Sequence, residues 1–168
     1  IRKKVNVKEV VEHLINHSYC GIANGRAEFG PRSLGNRSFI ADPRRDIKDT
    51  VNQIKRRQKF RPFAPAILEE YANEYFEDPM NRYMQFVAKA KYEYQDDHSS
   101  VTHVDGTARV QIVEKNNISI LRPILEEWYE KTGCPMLLNT SLNIKGQPIV
   151  NDWDDAKKFM EKYNVAVF

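Results

Sequence analysis

Hydrophobic residues along this chain switch repeatedly between helical and extended spacing. Residues 8–18 carry four aliphatic side chains on one stripe, which predicts an amphipathic helix. The apolar run 19–23 follows at once and predicts a short buried strand. A second apolar run, 136–138, lies between the predicted helices 118–133 and 152–162. Helices and strands therefore alternate, which favours an α/β sheet covered by helices.

Two features of the remaining pattern limit the architecture. Residues 46–59 have helical spacing with acids early and bases late, as the helix dipole favours, and Pro62 and Pro65 prevent that helix from continuing. The chain contains no internal repeat and no low-complexity linker. We therefore expect residues 1–168 to form one domain, and a chain of this length can bury roughly 70% of its unfolded surface.

The composition agrees with a folded protein outside the membrane. Apolar residues make up 41% and charged residues 29% of the chain, which is ordinary for a globular protein. No apolar run approaches the roughly 20 residues that cross a bilayer, and the N-terminus lacks a signal-peptide segment. We therefore expect a cytoplasmic protein with no membrane partner. Cys20 and Cys134 follow no metal spacing and are expected to be buried, reduced thiols.

Positive charge is concentrated in one part of the chain. Residues 26–61 contain eight Arg and three Lys against four acids, a local charge of +7 in a chain whose net charge is +3. Such a concentration predicts a polyanionic partner such as a nucleotide or a nucleic acid. The alternative is a solvated basic helix without a partner.

The segment GRAEFGPRSLGNRS, residues 25–38, combines these charges with a backbone that glycine and proline keep irregular. Guanidinium groups fork onto phosphate oxygens, and glycine lets backbone N–H groups approach an anion closely. The alternative is that part of the cations pairs with the nearby acids Glu28, Asp42, Asp46 and Asp49. The candidate phosphate site comprises six cations: Arg26, Arg32, Arg37, Lys55, Arg57 and Arg61.

Two polar segments are candidates to complete such a site. Thr107, Arg109 and Gln111 project from the same side of a predicted strand. Residues 139–143, NTSLN, directly follow the apolar run 136–138, and open α/β sheets bind ligands outside the carboxyl ends of their strands. Hydroxyl and amide groups there can hold a phosphate, a ribose or a base without adding charge. The structural alternatives are a polar strand face in water and an Asx or Ser/Thr turn.

Several familiar catalytic motifs are missing. The sequence contains no GxxxxGK[ST], GxGxxG or GxSxG segment and no paired Cys or His cluster. His13 and His17 lie four residues apart on the first predicted helix, but they flank its apolar stripe and lack a carboxylate at metalloprotease spacing. We therefore assign no metal site.

Four segments, in order along the chain, carry a resemblance to a known family. They are GRAEFGPRSLGNRSFIADPR, NQIKRRQKFRPFAPAIL, HVDGTARVQIV and TGCPMLLNTSLNIKGQPIV. Together they resemble the C-terminal, YrdC-like domain of the O-carbamoyltransferases that modify nodulation factors and antibiotics, over nearly the whole chain. The chain departs from the family pattern at three positions, where it has Phe29 for Trp, Ser33 for Ala and Leu142 for Phe.

The resemblance implies a twisted mixed sheet covered by helices and an enzyme domain that binds ATP and carbamoyl phosphate to form a carbamoyl-adenylate. A separate, metal-containing N-terminal domain of the same protein would then carbamoylate an acceptor hydroxyl, so this chain is expected to be a fragment that does not complete the transfer alone. Mg²⁺ held mainly by the nucleotide phosphates suits such a site, because it needs few protein ligands.

Matching by motif carries the family's ligand-binding positions onto this chain. Three of them, Lys55, Arg61 and Arg109, are expected catalytic residues that stabilise negative charge on phosphate oxygens. The full set of expected ligand-binding residues is Arg32, Lys55, Arg61, Arg109, Asn139, Ser141 and Asn143.

Two other functions stay open at this point. The basic segment could track a phosphate backbone, which would make the chain a module that binds double-stranded RNA. Few aromatic side chains suited to stacking lie beside it, so nucleic acid is the alternative rather than the expected partner. The chain could also serve to seat its N-terminal partner domain through an exposed apolar patch.

Overall fold

The computed structural model describes residues 4–26, 33, 35–59, 61–78, 87–95 and 97–168. In chain order its strands are β1 Tyr19–Ala23, β2 Arg37–Ala41, β3 Ala64–Leu68, β4 Phe76–Glu77, β5 Ala88–Ala90, β6 Thr107–Ala108, β7 Gln111–Val113 and β8 Met136–Ser141. A five-stranded sheet has the order β1-β2-β8-β3-β7, and a small sheet has the order β4-β5-β6. In the large sheet β3 and β7 are parallel and the other pairs are antiparallel. The expected α/β fold with a mixed sheet is confirmed.

The helices are α1 Val7–His17, α2 Lys48–Ile54, α3 Ala72–Tyr75, α4 Tyr92–Gln95, α5 Leu121–Thr132 and α6 Trp153–Tyr163, and a 3₁₀ turn spans Glu69–Tyr71. Side-chain caps fix where two of them begin. The Asn6 carboxamide oxygen accepts from the first N–H groups of α1, and the Asp152 carboxylate accepts from the N–H of Asp155 in α6. No helix in the described part of the chain is long and apolar enough to span a bilayer.

The core forms where α1 and α5 pack together and α5 packs on the sheet. Val10 and Leu14 of α1 are fully buried, and so is Trp128 of α5, whose indole N–H donates to the carbonyl of Met136 at 3.0 Å. Cys20 and Cys134 are both buried and free, as the sequence predicts. Burial raises the pKa of both thiols, so they are inert at neutral pH.

Helix α2 is shorter than its sequence pattern predicts, and the reason is a left-handed residue. Arg56 has φ 55°, and the N–H groups of Arg56 and Arg57 donate back to the carbonyls of Gln53 and Asn52 at 3.2 and 2.8 Å. This is the hydrogen-bond pattern of a Schellman helix end. The chain therefore leaves the helix before Pro62, and the basic residues that follow Ile54 lie on a turn.

The strand directions bring three polar segments to one end of the large sheet. β3 and β7 begin there, and antiparallel β8 ends there. Ala64 is paired with Asn139, and Ala66 is paired with Gln111. Residues that lead into β3 and β7 therefore meet residues at the end of β8.

Candidate functional site

A pocket of about 360 Å³ opens at this end of the large sheet. Its wall combines the segment before β3, the segment before β7 and the end of β8. The lining residues are Ser33, Arg57, Arg61, Pro62, Phe63, Ala64, His103, Arg109, Gln111, Asn139, Thr140 and Ser141.

Three guanidinium groups line this pocket. They belong to Arg57, Arg61 and Arg109, and none forms a salt bridge or donates a side-chain hydrogen bond to any residue that the structure describes. Burial and the positive charge of Arg61 lower the pKa of Arg57, which shows that the two cations repel each other. Cations held together without carboxylate partners form a site that an anion would stabilise.

The turn after α2 fixes where Arg57 and Arg61 lie. Asn52 is fully buried in α2, and its carboxamide N–H groups donate to the backbone carbonyls of Lys59 and Arg61 at 3.0 and 2.9 Å. The Arg57 guanidinium carbon lies 4.7 Å from the centre of the Phe63 ring, a cation–π contact. Both arginines are thus positioned by backbone clamps and ring packing, which leaves their charge available to a ligand.

A tight turn positions the opposite wall. The Asp105 carboxylate accepts from the backbone N–H and the hydroxyl of Thr107 at 3.0 and 2.6 Å, and these bonds lower the pKa of Asp105. Gly106 has φ 81°, which the turn requires and which glycine adopts without steric cost. The turn sets the path of the chain from His103 to Arg109.

The end of β8 supplies neutral polar groups. Asn139 is buried, and Thr140 and Ser141 are half-buried beside it. The Ser141 hydroxyl donates to the carboxamide oxygen of Asn143 at 2.6 Å, while the Asn143 NH₂ group donates to the carbonyl of Gln147. Because its proton is committed to Asn143, the Ser141 hydroxyl can face the pocket only as an acceptor or after that bond breaks.

Lys55 lies beneath the end of β8, outside the pocket wall. The residue is 3% exposed, and its ammonium group donates to the backbone carbonyls of Ser141 and Asn143 and to the Asn143 carboxamide oxygen. Burial lowers the pKa of Lys55 to about 7, and the charge of Arg57 adds to the effect. This arrangement holds the turn after β8 in place.

The structure therefore brings four of the expected ligand-binding residues into one pocket: Arg61, Arg109, Asn139 and Ser141. Lys55 and Asn143 support the Ser141 end of the pocket from behind, and Asn143 itself lines a neighbouring groove beside α6. Arg32 lies outside the described residues. The ligand-binding roles of these residues stay predictions.

The ligand-binding set carried over by motif omits three residues that matter for this geometry. Arg57 and Gln111 line the pocket, and Asn52 clamps the segment that carries Arg61. Two of them carry a sequence signal: Arg57 is among the six candidate cations, and Gln111 belongs to the predicted polar strand face with Thr107 and Arg109. That single strand is wrong, because the structure divides it into β6 and β7 in different sheets and places Arg109 between them. Asn52 has no signal, because a helical asparagine looks alike in sequence whether it is buried or exposed.

Arg37 belongs to the fold rather than to the pocket. Arg37 is 1% exposed, and its guanidinium donates to the backbone carbonyls of Asn24, Gly25, Asn36, Val150 and Asn151. The six-cation phosphate site is therefore wrong for Arg37, because all of these partners are carbonyl oxygens of its own chain. Pairing with acids also occurs, but it involves Arg44 and Arg45, which both contact Asp42.

Metal ligation by side chains has no support in the described parts of the chain. No three His, Cys, Asp or Glu side chains cluster there. His13 and His17 stack with ring centres 4.3 Å apart, and burial together with the charge of His17 lowers the pKa of His13. The pocket wall, as far as the structure describes it, contains no carboxylate.

The sequence of this chain is similar to a known protein family and to several curated proteins. The family model described as carbamoyltransferase C-terminus matches residues 11–168. Nodulation protein NolNO of Sinorhizobium fredii is 45% identical over 151 residues, which are 86% of this chain and 22% of that protein. Nodulation protein NolO of Bradyrhizobium diazoefficiens is 42% identical over 149 residues, which are 85% of this chain and 27% of that protein. The chain thus spans about a quarter of the length of these curated relatives.

Solved structures agree on the fold. Full-length HypF, crystallised in a phosphate- and nucleotide-bound form, matches 95% of this chain and 20% of its own, with a TM-score of 0.63 at 17% identity. A second HypF structure, from T. kodakarensis, matches with a TM-score of 0.61. The YrdC-like α/β fold implied by the sequence resemblance is confirmed.

Proposed function

The chain belongs to the carbamoyltransferase C-terminus family, and from this premise we propose that it is the ATP- and carbamoyl-phosphate-binding part of an O-carbamoyltransferase. Its product is a carbamoyl-adenylate for transfer to an acceptor hydroxyl. The observation that carries the proposal is the pocket in which three guanidinium groups without carboxylate partners face the polar end of β8. HypF, which shares this fold over 20% of its chain, was itself crystallised in a phosphate- and nucleotide-bound form.

The reaction needs both ligands in one place, and its atoms balance in two steps. Water cleaves carbamoyl phosphate to carbamate and phosphate. A carbamate oxygen then attacks the α-phosphorus of ATP, the bond from that phosphorus to the bridging oxygen breaks, and pyrophosphate leaves. Negative charge grows on phosphate oxygens in both steps, so fixed cations lower both barriers.

The pocket divides into groups with separate tasks. Arg57, Arg61 and Arg109 bind phosphate oxygens and stabilise the charge that develops on them. Thr140 and Ser141 offer neutral hydrogen bonds beside them. Lys55 acts from behind, by holding the backbone of Ser141.

Mg²⁺ enters this scheme as part of its substrate, MgATP. The described pocket wall offers arginines, amides and hydroxyls but no carboxylate, so the chain contributes few ligands of the kind Mg²⁺ prefers. The metal is carried by the nucleotide phosphates. ATP and carbamoyl phosphate are intracellular metabolites, which makes the cytoplasm the site of the reaction, and a further domain of a longer chain is the partner that completes the transfer.

Calorimetric titration tests the proposal directly. The chain is titrated with MgATP and separately with carbamoyl phosphate, alongside Arg61→Ala and Arg109→Ala. We expect saturable binding of both ligands by the wild type and a loss of affinity for MgATP of about tenfold to a hundredfold in each variant, because each removes a charge-assisted hydrogen bond.

A matched control separates the pocket from general charge. Arg45→Ala also removes one positive charge, but Arg45 is exposed and pairs with Asp42 away from the pocket, so its affinity for MgATP should stay at the wild-type value. A duplex RNA of about 16 base pairs, the span of a double-stranded RNA-binding module, covers the rival function. Salt-sensitive RNA binding without saturable ATP binding would overturn the proposal in favour of a nucleic-acid module.

A further inference from the structure

The turn after α2 carries more positive charge than the pocket wall uses. Residues 55–61, KRRQKFR, contain five cations and no acid. Two of the five line the pocket, and one is the buried Lys55. The remaining two, Arg56 and Lys59, are exposed and do not line the pocket. The proposed binding of phosphate groups therefore makes no use of these two charges.

Lys145 adds a third such cation from another part of the chain. Its backbone N–H donates to the carbonyl of Lys55 at 3.0 Å, so the turn after β8 and the turn after α2 are in direct contact. Lys145 is exposed, and it does not line the pocket either. We call Arg56, Lys59 and Lys145 the outer basic rim.

No acid pairs with the outer basic rim within the part of the chain that the structure describes. The ion pairs found there involve Arg44, Arg45 and Arg122, and none includes a rim cation. Residues 26–61 carry a local charge of +7 in a chain of net charge +3, so the other residues together are net negative. The described pocket wall contains no carboxylate, and a positive potential therefore surrounds the pocket.

Charges that do not touch a ligand act on it through the solvent. The Debye length is about 8 Å at 0.15 M ionic strength and about 30 Å at 0.01 M. Cations beside a binding site attract anions over such distances and raise the rate at which the anions arrive. The guanidinium groups of the pocket then hold the anion by direct contact. Arrival and retention are thus separate tasks of separate cations.

Building on the proposed function, we infer that the outer basic rim steers phosphate anions, MgATP among them, into the pocket. The rim raises the association rate of the ligand without a hydrogen bond from any rim residue. Its effect grows with the negative charge of the ligand and is screened by salt.

A thiol beside the pocket measures this potential without any bound ligand. Val104 is fully exposed on the turn whose first residue, His103, lines the pocket. Cys20 and Cys134 are buried, so Val104→Cys introduces one accessible thiol. Its reaction rates with dianionic dithiobis-nitrobenzoate and with neutral dithiodipyridine are compared. The neutral reagent corrects for any change in the pKa of the introduced thiol.

The rim is neutralised in this background by the triple change Arg56→Gln, Lys59→Gln and Lys145→Gln. The ratio of the anionic to the neutral reaction rate should fall about tenfold at an ionic strength of about 0.01 M. At about 0.15 M the loss should shrink to about twofold, because the Debye length is then shorter.

A matched triple variant removes the same total charge elsewhere. Arg45→Gln, Lys8→Gln and Lys131→Gln change exposed residues that neither line the pocket nor lie on the turn after α2. This variant should lower the ratio less than about twofold at either ionic strength. Equal losses in the two triple variants would overturn the inference, because net charge rather than its placement would then control the rate.

The association rate of MgATP connects the rim to the proposed function. Stopped-flow mixing with Mg²⁺ and a fluorescent, ribose-labelled ATP should give an association rate constant about tenfold lower in the rim variant at about 0.01 M ionic strength, with a nearly unchanged dissociation rate. An unchanged association rate with faster dissociation would overturn the inference, because the rim would then contact the bound ligand. If the wild type binds no MgATP, the proposed function fails, whereas the thiol rates still decide whether the rim attracts anions.

Discussion

The ammonium group of Lys55 is surrounded by carbonyl oxygens but removed from water. It donates to three oxygens at the end of β8, including the backbone carbonyls of Ser141 and Asn143. These bonds favour the charged form, whereas burial and the charge of Arg57 oppose it and lower the pKa of Lys55 to about 7. Keeping the Lys55 ammonium group charged in the folded state therefore lowers the free energy of unfolding.

This cost predicts a pH dependence of stability. Between pH 7 and the ordinary lysine pKa near 10.4, the unfolded chain keeps a proton that the folded chain releases, so the free energy of unfolding rises with pH in this window. Below pH 7 both states are protonated and the contribution of Lys55 is constant at its least favourable value. Relative to Lys55→Met, the wild type should gain roughly 1 kcal/mol per pH unit between pH 7 and 9.

Urea unfolding of both proteins at pH 6, 7, 8 and 9 measures this difference. Taking the difference between the two proteins removes the opposing titration of half-buried Tyr75, whose pKa is raised to about 12 chiefly by burial. Parallel pH profiles for the two proteins would show that Lys55 stays charged throughout.

The residue types in the sequence predicted which chemical groups line the pocket, but they did not predict how those groups are arranged. Arg61, Arg109, Asn139 and Ser141 could be selected from motifs, and the structure brings them together. Arg37 looks equivalent to Arg61 in sequence, yet it is buried among backbone carbonyls. Whether an arginine is buried in the fold depends on contacts with residues more than a hundred positions away in the sequence, such as the bond from Arg37 to the carbonyl of Val150. A local sequence pattern does not reveal such contacts.

At the scale of elements, the junction between α5 and β8 controls where the polar end of β8 lies. Gly133 ends α5 with φ 74°, and its N–H donates to the carbonyl of Tyr129 at 2.7 Å. Nothing lies within 4 Å of where a Cβ atom would stand, so a side chain there meets backbone strain but no clash. The sequence predicted this end correctly, because glycine favours the left-handed conformation.

Gly133→Ala should therefore lower the free energy of unfolding by roughly 1 kcal/mol through the positive φ alone. Gly133→Asn is the control, because asparagine tolerates this conformation better and should cost less. Urea denaturation of the three proteins gives the values. Equal losses for Ala and Asn would mean that side-chain packing, rather than the left-handed backbone, sets the cost.

Helix α2 shows the limit of element prediction. Its sequence pattern continues to Lys59, but the left-handed Arg56 ends it, with the last helical residue at Ile54. A non-glycine residue in this conformation has no clear sequence signature. The early end matters for function, because it turns Arg57 and Arg61 toward the pocket rather than along a solvent-exposed helix face.

At the scale of the whole molecule, the chain corresponds to about a quarter of its curated relatives, of which NolNO is one. Its described residues nevertheless include one continuous core and one pocket whose three guanidinium groups are those that the proposed adenylation step would use. The roles proposed for its lining residues concern phosphate groups and not the acceptor hydroxyl. If the proposed function holds, adenylation by this chain should be separable from transfer to the acceptor.

This separation predicts that the chain alone exchanges labelled pyrophosphate into ATP, and only when carbamoyl phosphate is present. Exchange reports reversal of carbamoyl-adenylate formation and needs no acceptor. Arg109→Ala should slow it about a hundredfold, because removing one preorganised group that stabilises transition-state charge commonly costs that much, whereas Arg45→Ala should exchange at the wild-type rate. Exchange without carbamoyl phosphate would mean that the chain adenylates a substrate other than carbamate. No exchange despite binding of both ligands would mean that another part of the longer protein completes the adenylating site.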